Sequence, residues 1–506
     1  MADPYYITTA ISYPNGKPHI GHAYEAIAAD AMARFRRAQG RDVRFITGTD
    51  EHGLKMVQTA RDAGRDTMEF ATEMSSCFKA MCETLNISND KFLRTSDPEH
   101  HAASKALWAA MEASGDLYLD RYEGWYSVRD EAFYDESELT GEGDERRSPQ
   151  GTPVEWTAEE TWFFKLSKYQ DALLALYRDQ PDFIRPDSRR NEVLRFVEGG
   201  LRDLSVSRTS FDWGVKVPGS PDHVMYVWVD ALTTYMTAVG YPDTGGEFAR
   251  YWPADVHLIG KDIVRFHAVY WPAFLMSAGL PLPKQIFGHG FILAKSGEKM
   301  SKSAGNSVDP IDMAARYGVD ALRYFLLREV SFGQDGSYSH EAIVNRVNSE
   351  LANSFGNLAQ RSLSMVFKNL DGVLPKVGGT VEDRQLLADV AEGCAALARE
   401  FDRFAFSVGL EAWMGAVFAC NAYVDAMAPW GLKKSDPDRM ADVLGTLVAA
   451  VRALAESVLP VIPESAAALI ALIDGGEGGT PIAQPTPLFP RLELGDDDSG
   501  EDGDAA

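Results

Sequence analysis

Two histidines, His19 and His22, enclose Ile20 and Gly21 where a short β-type run gives way to a helical pattern. A helix N-terminus presents N–H groups without intrahelical partners and the positive end of the helix dipole, so phosphates are favoured there. Two imidazoles one turn apart can donate to one phosphate, and a glycine between them removes the side chain where a nucleotide would approach. The same residues could also be plain caps of a helix start. A second cluster is Lys299-Met300-Ser301-Lys302-Ser303, preceded by Ser296-Gly297-Glu298 and followed by Ala304-Gly305-Asn306. Small residues around two ammonium groups after a strand describe a loop that can bring charge to a departing pyrophosphate. Such chemistry is mainly positioning and electrostatic stabilisation. On its own, two lysines at this spacing would be a solvated basic loop. Neither a Walker P-loop nor a G-x-G-x-x-G fingerprint competes with these clusters.

These groups need elements to hold them. YYITTAI reads as a buried strand closed by the turn Tyr13-Pro14-Asn15-Gly16, and Ile20 to about Gln39 reads as a helix. DVRFITGTD is a second buried strand, followed by a helix from about Leu54 to Ala63. Strand–helix alternation at this spacing predicts a parallel α/β sheet, and VHLIGKD and QIFGHGFIL repeat the signature further on. Residues 116–215 differ, being rich in aromatics, acids and turn formers. After about Ser339 the chain turns to long Ala/Leu/Val helical stretches, with an extended strap marked by Pro481, Pro485, Pro487 and Pro490.

The two charged clusters together resemble the HIGH and KMSKS signatures of class I aminoacyl-tRNA synthetases, in the same order and each after a strand. Further segments make the resemblance specific to the methionyl-tRNA synthetases. These are Tyr13-Pro14-Asn15-Gly16, Thr47 to Gly53, Tyr226 to Ala231, Gly260 to His267 with Trp271-Pro272, and His289-Gly290. The resemblance spans about residues 4 to 470. It implies a Rossmann-like parallel-sheet α/β catalytic domain with an inserted connective subdomain, followed by an all-α anticodon-binding bundle. The implied boundaries are 1–115 and 216–338 for the catalytic halves and 116–215 for the insert. Residues 339–490 would form the bundle and strap, and 491–506 an acidic tail without a core.

By the same resemblance His19, His22, Lys299 and Lys302 are catalytic, and His19, Gly21, His22, Asp262, His289, Gly290 and Lys302 bind ATP. Asp50 holds the methionine ammonium, while Ile11, Tyr13, Trp228, Ala231, Tyr235, Ile263 and His267 surround the thioether, backed by Phe266 and Trp271. Glu25 and Arg208 also match family positions near the substrates. A thioether offers almost no hydrogen-bonding handle, so an aromatic pocket with one carboxylate suits it. Asn357 and Arg361 would read anticodon bases and Trp430 would stack on one. The implied partners are L-methionine, ATP with Mg2+ and tRNA(Met).

The insert departs from relatives that hold zinc there. Ser127 and Asp130 stand at the first ligand pair, a stretch around Ser148 to Gly151 replaces the second, and no cysteine lies between Cys82 and Cys394. The relatives' zinc knuckles use paired cysteine thiolates, which this insert lacks, so no metal is expected, and Tyr122, Trp125, Tyr126, Phe133 and Tyr134 are expected to pack the insert. The interval between His19 and Lys299 leaves no room for the editing domain of the leucine, isoleucine and valine enzymes. A tRNA-binding paralogue without catalysis would not need the histidines and lysines.

A net charge of −25 disfavours nonspecific nucleic-acid binding but not a local basic surface. Four irregularly spaced cysteines, no signal-peptide pattern and no long apolar run lead us to expect a reduced, cytoplasmic protein off the membrane. The lack of an added C-terminal dimerising domain makes a monomer the expectation.

Overall fold

β-Branched and aromatic runs build the sheet, and Ala-rich amphipathic runs build the helices that follow. In the computed structural model, residues 2–127, 132–225, 227–293 and 308–494 are described. Lys299, Lys302, Asp130, Tyr226 and the acidic residues Asp496 to Asp504 lie outside them.

The chain begins β1 (Pro4–Ser12), α1 (Ile20–Ala38), β2 (Asp42–Thr49), α2 (Leu54–Asp62), α3 (Thr67–Thr84), β3 (Lys91–Arg94) and α4 (Pro98–Ala113). The next region holds β4 (Leu117–Ser127), β5 (Ala132–Tyr134), β6 (Glu155–Phe164), α5 (Gln170–Asp179), β7 (Ile184–Arg185) and α6 (Asp187–Glu198). After it come β8 (Leu204–Ser205), β9 (Ser207–Arg208), β10 (Lys216–Val217), β11 (Ser220–Met225), α7 (Val227–Thr237), α8 (Gly246–Tyr251), β12 (Val256–Gly260), α9 (Trp271–Ser277) and β13 (Ile286–His289). The rest is mainly helical: β14 (Ile292–Leu293), α10 (Pro310–Tyr317), α11 (Val319–Glu329), β15 (Gly336–Ser337), α12 (His340–Arg346) and α13 (Asn357–Asn369). It closes with α14 (Val381–Phe401), α15 (Phe406–Met427), α16 (Pro429–Ser435), α17 (Pro437–Val458) and α18 (Pro463–Asp474).

Two units divide these elements. The sheet unit takes the described residues up to Pro18, with Gln39–Glu83 and Ile87–His289. Its six strands run in the order β3-β2-β1-β12-β13-β7, every pairing parallel. A parallel sheet is covered on both faces, hence the continuous burial of Tyr5 to Thr9 in β1 and of all of β12. Strand order reverses between β1 and β12, and ligands of open α/β sheets bind beyond the strand C-termini at such a switch point. A register shift between Thr8 and Ile11 bulges β1 just before that edge and re-aims Ile11.

The insert is a second, antiparallel sheet in the order β5-β4-β6-β8, in which Trp125 faces Trp156 across β4 and β6. Their rings meet edge to face at 5.4 Å, with the Arg146 guanidinium 4.6 Å from the Trp125 ring. At the positions where zinc ligands would stand, buried Ser127 and Ser148 each hydrogen-bond Thr152, at 2.6 and 2.8 Å.

The helical unit takes His19–Ala38, Thr84–Asn86 and the described residues from Gly290 onward. The fully buried Arg323 of α11 joins its parts, pairing with Asp30 of α1 at 2.6 Å and donating to the carbonyls of Leu85, Pro460 and Val461. Helices α13, α14, α15 and α17 pack on one another. The proline strap is tied to this unit by Gln360 of α13, which donates to the Pro485 carbonyl at 3.1 Å, and by two hydrogen bonds exchanged between Leu492 and Asn348, just ahead of α13. Two further helices, α10 and α11, lie ahead of Ser339, where the long Ala/Leu/Val stretches begin.

Candidate active site

In the sheet unit, parallel strands deliver their C-termini to one edge, so residues distant in sequence meet there. β1 leads to Ile11 and Tyr13, β2 to Asp50, β12 to Asp262 and Ile263, and β13 ends at His289. Asp50 is buried and its N–H donates to the Ser12 carbonyl at 2.9 Å. Trp228, Ala231 and Tyr235 share one face of α7 through their helical spacing. Phe266 and His267 lie on a π-helical turn, Phe266–Tyr270, whose widened ladder has the Trp271 N–H donating to the Phe266 carbonyl. Such turns concentrate at functional sites.

The aromatic side chains interlock. Trp228 and Phe266 stack with ring centroids 3.8 Å apart and planes 9° apart. The His267 Nδ1 lies 3.0 Å from the Ile263 carbonyl, which can only accept, so Nδ1 carries the proton. Its Nε2 then accepts the Tyr235 hydroxyl proton at 2.7 Å. Burial lowers His267 to about 4 against the opposing pull of the Ile263 carbonyl, so the ring is neutral near pH 7. Trp271 is fully buried, edge-on to Tyr235 at 6.3 Å, and backs the wall rather than lining it. Asp262 is exposed and His289 buried.

The helical unit holds the two histidines at the start of α1. The Gly21 N–H donates to His19 Nδ1 and the His19 N–H to His22 Nδ1, both at 3.1 Å. Each Nδ1 is thereby an acceptor, which leaves the ring proton on Nε2, and the rings lie 3.8 Å apart. A side chain at Gly21 would come within 2.9 Å of the His19 ring, so the glycine seats that ring. At Gly290 a Cβ would fall 2.1 Å from the Gln334 carbonyl oxygen, so the close approach there is made by this unit's own backbone. Glu25 is half-buried on α1.

In the same unit Asn357 and Arg361 lie one turn apart on α13, with the Arg361 guanidinium 5.8 Å from the Trp430 ring and 3.7 Å from Asp425. Ala428 adopts a left-handed conformation (φ 41°) that ends α15, and Pro429 opens α16 directly behind it. This tight corner turns Trp430 outward, leaving it 53% exposed.

Some residues matter that composition and motif reading left unassigned. Fully buried Glu51, beside Asp50, accepts from Arg94 Nε and Nη2 at 2.7 and 3.0 Å and from the hydroxyls of Ser96 and Thr49. Trp213 donates to the Glu51 carbonyl at 2.6 Å. Asp230 is buried between His52 and His100. Glu51, His52 and Asp230 stand inside the motifs quoted above, which was the available signal; His100, Arg94 and Trp213 carried none. Arg208 is buried in β9, donating to Ser205 and the Ser207 carbonyl and packing on Tyr126.

The family model for tRNA synthetases class I (M) matches residues 5–363, and that for the anticodon binding domain of methionyl tRNA ligase matches 374–488. The methionine–tRNA ligase of Brucella suis biovar 1 is 55% identical over 98% of this chain and 99% of its own length. That of Rhizobium meliloti is 56% identical over 96% and 98%. A crystal structure of Mycobacterium tuberculosis methionyl-tRNA synthetase bound by methionyl-adenylate superposes with a TM-score of 0.93 at 55% identity, covering 96% of this chain and all of that one. The free-state structure of that enzyme gives 0.87 at 52% identity, over 98% and 99%.

Proposed function

This chain belongs to the methionyl-tRNA synthetases of class I, and we propose from that membership how its residues divide the work. The reaction is ligation of methionine to tRNA in two steps. The methionine carboxylate attacks the α-phosphate of ATP, which enters as its magnesium complex, giving methionyl-adenylate and pyrophosphate. The terminal ribose hydroxyl of tRNA(Met) then attacks the adenylate carbonyl, forming the aminoacyl ester, breaking the acyl–phosphate bond and releasing AMP. Both attacking oxygens belong to substrates, so no protein nucleophile is needed.

In our reading Asp50 takes the ammonium group, and Ile11, Tyr13, Trp228, Ala231, Tyr235, Ile263, Phe266 and His267 enclose the side chain with Trp271 behind. The observation that carries it is the closed Tyr235–His267–Ile263 hydrogen-bond chain beside the Trp228–Phe266 stack. It commits the Tyr235 hydroxyl and both His267 nitrogens, and leaves ring faces and edges for a soft sulfur. His19 and His22 donate from Nε2 to ATP phosphates, with Gly21 shaping that turn. Lys299 and Lys302 stabilise charge on the pyrophosphate, Asp262 binds the ribose, and His289 and Gly290 the adenine end. Asn357, Arg361 and Trp430 contact the anticodon.

The domain limits proposed are 1–115 with 216–338, 116–215, 339–490 and 491–506. The insert is proposed to be zinc-free: its Ser127–Thr152–Ser148 hydroxyls satisfy one another, and hydroxyls are poor zinc ligands. Among the described residues no cluster of three or more His, Cys, Asp or Glu side chains could hold a metal, and no helix is long and apolar enough to cross a membrane. A cytoplasmic monomer is the proposed state. Pyrophosphate exchange tests the reading: it should proceed with methionine and fail with leucine or isoleucine, followed by charging of tRNA(Met). Exchange that ignores methionine in folded protein would overturn it.

A further inference from the structure

A carboxylate buried from water is costly unless its oxygens are satisfied, and Asp230 has no measurable exposure. One of its oxygens accepts from His52 Nδ1 and the other from His100 Nε2. The His100 Nδ1 lies 3.1 Å from the Thr237 hydroxyl, which itself donates to the Thr233 carbonyl at 3.1 Å. That hydroxyl proton is therefore committed, so the Thr237 oxygen meets His100 Nδ1 as an acceptor, while the Ser104 hydroxyl lies 3.3 Å from His100 Nε2. Burial alone would raise the Asp230 carboxyl; His52 and His100 outweigh it and hold the group below the usual carboxylate range.

The three residues sit at informative places. His52 follows Asp50 by two positions in the turn after β2. Asp230 and Thr237 are on α7, the helix that carries Trp228, Ala231 and Tyr235. His100 is on α4, which packs along α7. A buried polar cluster of this kind adds little stability over apolar packing of equal volume, but it fixes geometry because both carboxylate oxygens are tied to imidazoles on different elements. Resting on the function proposed above, we infer that His52, Asp230 and His100 are positioning residues for amino-acid selection. They hold the turn that carries Asp50 at a set distance from the aromatic helix face. The site thus measures the span from ammonium to thioether.

The test uses the full chain in methionine-dependent pyrophosphate exchange, with His52→Leu, His100→Leu, His52→Asn, His100→Gln and Asp230→Asn. An asparagine amide nitrogen stands near where His Nδ1 was, and a glutamine amide nitrogen near His Nε2, so these two keep the donor. In the leucine variants the methionine KM should rise about tenfold or more, with the ATP KM and saturated kcat within about threefold. The amide variants should recover most of the loss. A lesion of folding alone would lower activity with the folded fraction and spare both KM values. Should the leucine variants not fold, Asp230→Asn, which keeps the side chain's shape, takes their place with the same KM increase expected. An unaltered methionine KM, or amide variants no better than leucine, would overturn the positioning role. Absence of methionine-dependent exchange in the parent chain would instead count against the functional reading.

Discussion

His267 shows how a single proton ties specificity to stability. Its Nδ1–H is held by a backbone carbonyl and its Nε2 by a tyrosine, so the folded protein resists a second proton, and burial lowers the group to about 4. Its unfolded value is near 6.5, so between those limits the unfolded chain binds more protons and stability falls as pH falls. Fully buried His257, 6.4 Å away and also lowered by burial and by His267, acts in the same direction. Asp230 belongs to a separate window, since a depressed carboxyl loses its contribution only below about pH 4. Stability should therefore fall between about pH 7 and about pH 5, by about 2 kcal/mol for His267 alone, and melting temperature should fall with it. His267→Gln should flatten that slope; an unchanged slope would remove His267 from the account. Lys302 is the other residue-level test. Its replacement by Ala should slow adenylation by about 10²–10³-fold with little change in methionine KM, the scale for losing one preorganised charge stabiliser. Near-normal exchange would sink that role.

At the scale of elements, the corner between α15 and α16 decides what Trp430 can do. A left-handed alanine followed by proline is a strained way to join two helices, and strain of this kind is retained where a side chain must be aimed. Trp430 is exposed beside Arg361, with Asn357 one turn back on α13. Losing a base–aromatic stack costs about 1–3 kcal/mol, so Trp430→Ala should lower tRNA charging about 10- to 100-fold. A half-exposed ring supports little core, so melting temperature and tRNA-free exchange should stay near the parent values. Parallel loss of both reactions with a fall of several degrees would make Trp430 structural, as a core truncation of about 3–5 kcal/mol would require.

For the whole molecule, the −25 net charge implies that tRNA is met by a local surface rather than by the overall field. The insert's hydroxyl set predicts that purified protein contains zinc well below one equivalent. Activity and melting temperature should then survive chelation once Mg2+ is restored. Stoichiometric zinc would show the insert to be misread. Light scattering should return the mass of one chain at working concentrations; a dimer would contradict the proposed monomer.

Strand–helix alternation, the histidine and lysine signatures and the aromatic register were all local patterns, so the α/β class, its first strand–helix pairs and the family were legible without coordinates. Most of the residues proposed for methionine could be named for the same reason: they sit inside short motifs. The antiparallel insert and the buried clusters were not legible. His100 reaches Asp230, Arg94 reaches Glu51 and Arg323 reaches Asp30 across long stretches of chain, and no periodicity marks such pairs. A buried arginine looks like a surface one in sequence, as Arg208 illustrates, because only packing decides whether water or protein satisfies its donors. Residue chemistry along the chain determined what this protein can react with, whereas tertiary structure alone decided which tautomer, charge state and partner each buried group holds, since those depend on neighbours that folding brings together.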